Sequence, residues 1–234
     1  MVAPWMENGS LPRYLEKVFS VDRCKLCTQI CEGVAYLHVI GIVHGDLKGE
    51  NVLVSGDGVA VIGDFGGSLL RNRSLKIIPL EKGSCPTYRW AAPEIFLPGG
   101  MNEKDESTDK SESRVSQAGT NASPNTRESD IYALGMTILE IISGRLPWYW
   151  IKNEPAIIIH VCSPGKSHRR PQHEIPMDSL AGDKLWKLLN ECWAYKPDRR
   201  PTAIEVGNVM SDIIPGALKV YPPPAIGNRC AIFD

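Results

Sequence analysis

The sequence predicts a mainly α fold of the α+β class: a helical bundle with one small β-hairpin set into it and a disordered insertion. Three observations predict it. Leu26, Ile30, Val34 and Leu37, and later Ile131, Leu134, Ile138, Ile141 and Ile142, recur at the helical period, which gives each segment an apolar stripe to bury. Between these two stripes, Asn51-Val52-Leu53-Val54 and Val59-Ala60-Val61-Ile62 flank Ser55-Gly56-Asp57-Gly58, two β-rich runs around a Gly/Asp turn. From Gly99 to Glu128, Asn, Ser, Thr, Asp, Glu and Lys dominate. Such a stretch buries too little surface to offset its ordering entropy.

The remaining elements follow in chain order. Gly9-Ser10-Leu11-Pro12 reads as a helix start capped by Ser10 or a neighbour, with a short helix running through Leu15. The first long helix spans roughly Val21 to Val39, and Ile42-Val43 is a short apolar run beyond it. Residues from Asp64 to about Pro93 hold no steady period, and a long irregular segment inside a compact domain is usually functional. After the insertion, Ser129 or Asp130 opens the apolar helix that Gly144 and Pro147 stop. Further helices are expected near Glu154 to Val161, from Asp183 to Tyr195 and from Thr202 to Ile214. Pro222-Pro223-Pro224 begins an extended tail.

Composition narrows the function. Lys plus Arg is 26 and Asp plus Glu is 27, so no electrostatic footprint for nucleic acid or an anionic membrane is expected. The longest apolar runs, Ile138 to Ile142 and Ile157 to Val161, are too short to span a bilayer, and the N-terminus has no signal-peptide pattern. Cys24, Cys27 and Cys31 lie in a helical pattern with no second ligand pair for zinc. They read as reduced core residues in an intracellular, cytoplasmic setting. His160, His168 and His173 show no metal-ligand spacing, and Trp148, Tyr149 and Trp150 read as packing.

The chemistry sits in His44-Gly45-Asp46-Leu47-Lys48-Gly49-Glu50-Asn51, followed by Asp64-Phe65-Gly66 and then by Ala92-Pro93-Glu94. In this order, with a hairpin between the first two, the strings resemble protein-kinase motifs, and the resemblance implies a phosphoryl-transfer site, which needs positioning and charge neutralisation more than covalent help. Asp46 is disposed to accept a substrate hydroxyl proton, and Lys48 to approach the transferring phosphate. Asn51 and Asp64 offer hard oxygen ligands for Mg²⁺.

Together these motifs resemble the catalytic loop, metal-binding triplet and activation-segment terminator of protein kinases. Ser129 through Gly135 and Cys192-Trp193 through Arg200-Pro201 are similar to later kinase elements, so the resemblance covers the chain apart from the insertion and the tail. It implies ATP and Mg²⁺ as cofactors and a protein as the acceptor. It also implies anchoring of the catalytic loop by Asp130, an ion pair of Glu94 with Arg200, and stacking of Phe65 on His44 beneath the site. Leu53 would be the floor under adenine, Met6 would lie in the connection beside it, and Thr87 would bridge Asp46 and Lys48. Lys48 in the loop, with Thr87-Tyr88-Arg89-Trp90-Ala91-Ala92-Pro93-Glu94, resembles the tyrosine-kinase-like group, whose members mostly phosphorylate Ser and Thr.

By the same resemblance, residues 1–9 match the hinge between kinase lobes, 10–214 the helical C-terminal lobe interrupted by 99–128, and 215–234 a tail. The Gly-rich loop and strand lysine of a small N-terminal lobe are missing from this sequence. The expectation is therefore little transfer by the chain as given, with apolar surface around Ala3, Trp5, the hairpin and Phe65 open to a partner. An enzyme whose other lobe lies upstream and a non-catalytic scaffold are both open on this reading. Gly45 stands where most kinases have Arg, so phosphorylation of the activation segment, for instance at Ser74 or Ser84, is not expected to be read through this position.

Overall fold

The computed structural model describes residues 4–18, 20–65, 69–70, 87–97, 125–165, 168–213 and 218. Ala3, Ser74, Ser84, the centre of the expected insertion and nearly all of the tail lie outside the described residues. Helix α1 (Leu11–Lys17) buries Leu11 and Leu15, one turn apart, and carries Lys17 in its last turn, where a cation suits the helix dipole. Helix α2 (Arg23–Val39) is capped by Asp22, whose carboxylate accepts from the Lys25 amide. Its buried stripe is the expected one, joined by Cys24, Cys27 and Cys31.

Four short strands follow the first two helices. β1 (Ile42–Val43) pairs antiparallel with β4 (Leu69–Leu70), a pairing that two-residue runs give no period to reveal. β2 (Val52–Val54) pairs with β3 (Ala60–Ile62) as the expected hairpin, with Val52 opposite Ile62 and Val54 opposite Ala60. Gly58 closes its turn at φ +77°, a backbone region that glycine enters without a steric penalty.

Helix α3 (Pro93–Phe96) is a single turn, and helix α4 (Arg127–Ser143) is the centre of the molecule, buried from Ser129 to Ser143. The expected start at Ser129 or Asp130 is corrected to Thr126. The Thr126 hydroxyl accepts from the Ser129 amide and Ser129 Oγ accepts from the Thr126 amide, a reciprocal cap. Asp130 does not cap its helix because both its oxygens are used elsewhere, as described below. The last residues of the expected insertion, 125–128, therefore belong to the folded body.

Helix α5 (Glu154–Cys162) comes next, then helix α6 (Leu180–Cys192) and helix α7 (Ala203–Ser211). α6 starts a turn earlier than expected because Ser179 caps it, while Asp183 is held by Arg170 at 2.7 Å. α7 lies along α2, and α6 crosses α4 at Gly135. A methyl there would come within 2.8 Å of Cys192 Cβ, so this close helix approach needs glycine. Among the described residues, one apolar core joins the seven helices to β2 and β3.

Candidate active site

The loop between β1 and β2 is shaped by one buried carboxylate from α4. Asp130, 1% exposed, accepts from the His44 amide and the Gly45 amide at 2.8 Å each and meets His38 Nε2 at 2.9 Å. Gly45 sits at φ +79°, where a side chain would be strained. The His44 ring is buried. Its Nδ1 accepts from the Asp46 amide at 3.2 Å, which leaves Nε2 to donate to the Gly63 carbonyl at 2.9 Å.

Asp46 emerges from this frame half-buried. Its Oδ2 accepts from Asn51 Nδ2 at 2.8 Å and pairs with Lys48 Nζ at 3.2 Å. The Asn51 amide nitrogen also donates to the Asp46 carbonyl at 2.8 Å, so both its protons point back at the loop and its oxygen is turned the other way. The other carboxylate oxygen, Asp46 Oδ1, is buried and has no hydrogen-bond partner among the described residues. A buried orphan acceptor is costly in a resting fold and suits a group that is to receive a proton.

The second motif is brought in by the hairpin. The Gly63 amide donates to the Asn51 carbonyl at 2.8 Å while its own carbonyl takes the His44 ring. Gly63 is thus clamped to both ends of the catalytic-loop string, and Asp64 follows it, exposed, at φ +53°. Phe65 lies on His44, ring centroids 5.5 Å apart, but 43% of it stays exposed. His44 covers one side of the ring and leaves the other open.

Leu53 and Met6, the residues expected beside adenine, lie on β2 and on the segment leading into α1. Ser10 bridges to Leu53, the Asn8 amide donates to the Val54 carbonyl at 3.2 Å, and the Val54 amide donates to the Gly9 carbonyl at 2.9 Å. Leu53 is half-buried there. Met6, also half-buried, accepts through its carbonyl from the Gly9 amide at 3.0 Å. Trp5, Val59 and Val61 are exposed, at 84%, 42% and 38%.

On the opposite side, Glu94 on α3 and Arg200 form a two-pronged pair with Nη–Oε distances of 2.5 and 2.9 Å. Arg200 also donates to the Glu128 and Ala194 carbonyls and lies over the Tyr132 ring. Thr87 opens a 3₁₀ turn through Arg89, and its side chain lies outside what the structure describes.

Two site residues left no signal in the sequence reading. Glu140 on α4, 8% exposed, accepts through Oε2 from the Gly49 amide at 3.1 Å and from Trp90 Nε1 at 3.0 Å. It thereby ties the catalytic loop to the end of the irregular segment. His38 at the end of α2 supports Asp130. Cys24 and Cys31 take no part: burial pushes Cys24 up to about 11 and Cys31 up to about 12, so these thiols stay protonated at neutral pH. A cavity of about 310 Å³ lies elsewhere, among Pro93, Tyr132, Trp148, His168 and Trp193, and contains none of the loop residues. No helix among the described residues is long and apolar enough to cross a membrane.

A helical body that holds an Asp–Lys–Asn loop against a hairpin and a following Asp defines the phosphotransferase class to which the motifs point. The profile of the protein kinase domain matches residues 1–210, and the chain belongs to the protein kinase family. Among curated proteins it is 27% identical to the serine/threonine/tyrosine-protein kinase HT1 of Arabidopsis thaliana over 86% of this chain and 44% of that protein. It is 30% identical to mitogen-activated protein kinase kinase kinase 2 of the same plant, over 86% of this chain and 27% of that one. It is 26% identical to the serine/threonine-protein kinase STY46, also of Arabidopsis thaliana, over 91% and 32%. The chain thus spans less than half the length of these relatives. Their names agree with the group read from the sequence.

Proposed function

We propose that this chain is the helical lobe of a protein kinase that transfers a phosphoryl group from Mg²⁺-bound ATP to Ser or Thr hydroxyls of a protein, with Asp46 as the base. The observation that carries the proposal is the Asp46 carboxylate. One oxygen is held by Asn51 and Lys48 and the other is buried with no partner among the described residues. An acceptor hydroxyl donating to Oδ1 would satisfy that oxygen and point its own oxygen outward for attack. Lys48, 8% exposed and paired to Asp46, lends positive charge to the site.

The residues fit the metal and the nucleotide. No cluster of three His, Cys, Asp or Glu is present among the described residues. Mg²⁺ takes one or two protein oxygens and completes its shell with phosphate and water, and the Asn51 amide, its nitrogen bonded to Asp46, keeps its oxygen for such a role. Asn51 Oδ1 and the Asp64 carboxylate would hold it. Bound there, the ion would neutralise the developing charge on the transferred group. Leu53 and Met6 would take the adenine. Trp5, Val59, Val61 and Phe65, all exposed, suit a face on which a nucleotide-covering lobe rests, with residues 1–9 as the hinge, 10–214 as the lobe and 215–234 as a tail. A partner-binding scaffold would use the same exposed face, but it has no need of the Asp46–Lys48–Asn51 geometry. Chemistry that consumes ATP sets the protein in an intracellular compartment.

Transfer of labelled phosphate from ATP to a Ser-containing protein acceptor tests the reading. In the full-length protein, Asp46→Asn should lower the rate about a thousandfold or more, because the Asn amide cannot receive the proton. An Asp46→Asn protein as active as its parent would reject it.

A further inference from the structure

Arg89 lies three positions before Ala92-Pro93-Glu94, the motif that ends the irregular segment, and the catalytic reading gives it no part. Its Nη1 donates to the Pro147 carbonyl at 2.8 Å and leans on the Trp148 carbonyl at 3.4 Å, 58 and 59 residues away. The turn it grips is unusual. Trp148 has φ +58°, a conformation that L residues with a bulky side chain rarely adopt, and it is 2% exposed. Rings fix that indole from several sides: His168 at 3.7 Å, His160 at 5.0 Å and Trp150 at 5.6 Å between centroids. The carbonyls offered to Arg89 therefore come from a rigid support, and a planar guanidinium holds its donors in a fixed geometry where the donors of an ammonium rotate on a flexible stem.

The next residue, Trp90, is tied inward to Glu140, which also holds the Gly49 amide of the catalytic loop. The 3₁₀ turn Thr87–Arg89 is thus pinned on two sides: through Trp90 to the catalytic loop, and through Arg89 to the turn between α4 and α5. The nucleotide side of the site, β2 and β3, makes no hydrogen bond to Arg89 among the described residues. We infer that Arg89 is a positioning residue for the protein acceptor. It holds the turn that begins at Thr87 at a fixed distance from Asp46, and does so by gripping the Pro147–Trp148 turn. This inference rests on the kinase reading. It predicts an effect confined to the acceptor, because Arg89 bonds the Pro147–Trp148 turn and not the β2–β3 hairpin.

The test uses the full-length protein, with ATP and a Ser-containing peptide chosen on the parent from an arrayed peptide library. Arg89→Met keeps the stem and removes the donors. It should raise KM for the peptide about tenfold or more while KM for ATP moves less than about twofold. Arg89→Lys should recover part of the loss. Arg169→Met, which removes a guanidinium standing 5.2 Å over the nearby Trp150 ring, should leave both constants near the parent's. A parent-like peptide KM in both Arg89 variants would overturn the inference and leave the kinase reading intact. So would a parallel rise in both KM values, which marks general loosening. Should Arg89→Met not fold, Arg89→Lys decides alone: a peptide KM equal to the parent's counts against the inference. A parent with no turnover at all would sink the kinase reading, and the inference with it.

Discussion

His168 shows how far one residue's surroundings can set its chemistry. It is sandwiched between Trp148 at 3.7 Å and Trp193 at 3.8 Å, and it is 7% exposed. Burial, with His160 nearby, pushes its pKa well below the usual 6.5, so it stays neutral in the folded protein. The unfolded chain takes up a proton here below about pH 6.5 and the folded one does not. Stability from this residue is therefore complete above that pH and is lost as pH falls below it, by about 1.4 kcal/mol per unit while the folded ring stays neutral. Urea unfolding of the parent and of His168→Phe, which keeps a ring in the stack, should show a flatter slope between pH 6.5 and 5.5 for the variant. Equal slopes would remove His168 as the source. The residue scale is also where the sequence was unevenly legible. Asp46, Lys48 and Asn51 lie within six positions, so a short loop can bring them together. Glu140 left no trace. It sits in a strongly apolar helix, and its partners Gly49 and Trp90 are 91 and 50 residues away, beyond the reach of any local pattern.

At the scale of elements, α3 is the weakest piece. Four residues cannot support a helix alone, and no side chain caps its start. Its anchor is the Glu94–Arg200 pair, in which the arginine side chain is fully buried. Arg200→Met leaves Glu94 without its partner and should cost about 3–5 kcal/mol. A fall in the urea midpoint at unchanged m-value would measure it, and a loss under about 1 kcal/mol would show that α3 is held otherwise. Elements were legible where a period or a turn residue marks them. α2, α4 and the hairpin follow from apolar spacing and from Gly56 and Gly58. The β1–β4 pair did not, because two residues carry no period. The start of α4 was misjudged because Thr126 lies in a polar run that resembles the insertion before it, and its capping partner is a serine instead of an acidic residue. The start of α6 was missed for a similar reason, since Leu180, 88% exposed, breaks the apolar stripe.

For the whole molecule, the arrangement makes physical sense as a rigid helical base that offers polar groups along one edge. α4 runs through the centre and supplies Asp130 to one side of the catalytic loop and Glu140 to the other. The hairpin hangs from that loop and delivers Asp64, while Trp5, Val59, Val61 and Phe65 remain on the open side. The account stands on Asn51 and Asp64 acting as one magnesium–phosphate site beside Asp46. Calorimetric titration of the full-length protein with ATP, with Mg²⁺ and again with the metal chelated, tests this most directly. Binding should weaken when Mg²⁺ is removed, and Asn51→Ala and Asp64→Asn should each lower the affinity for Mg²⁺–ATP about tenfold or more, while Lys152→Ala, a change at an exposed lysine, leaves it unaltered. Metal-independent ATP binding, unchanged by both substitutions, would contradict the account.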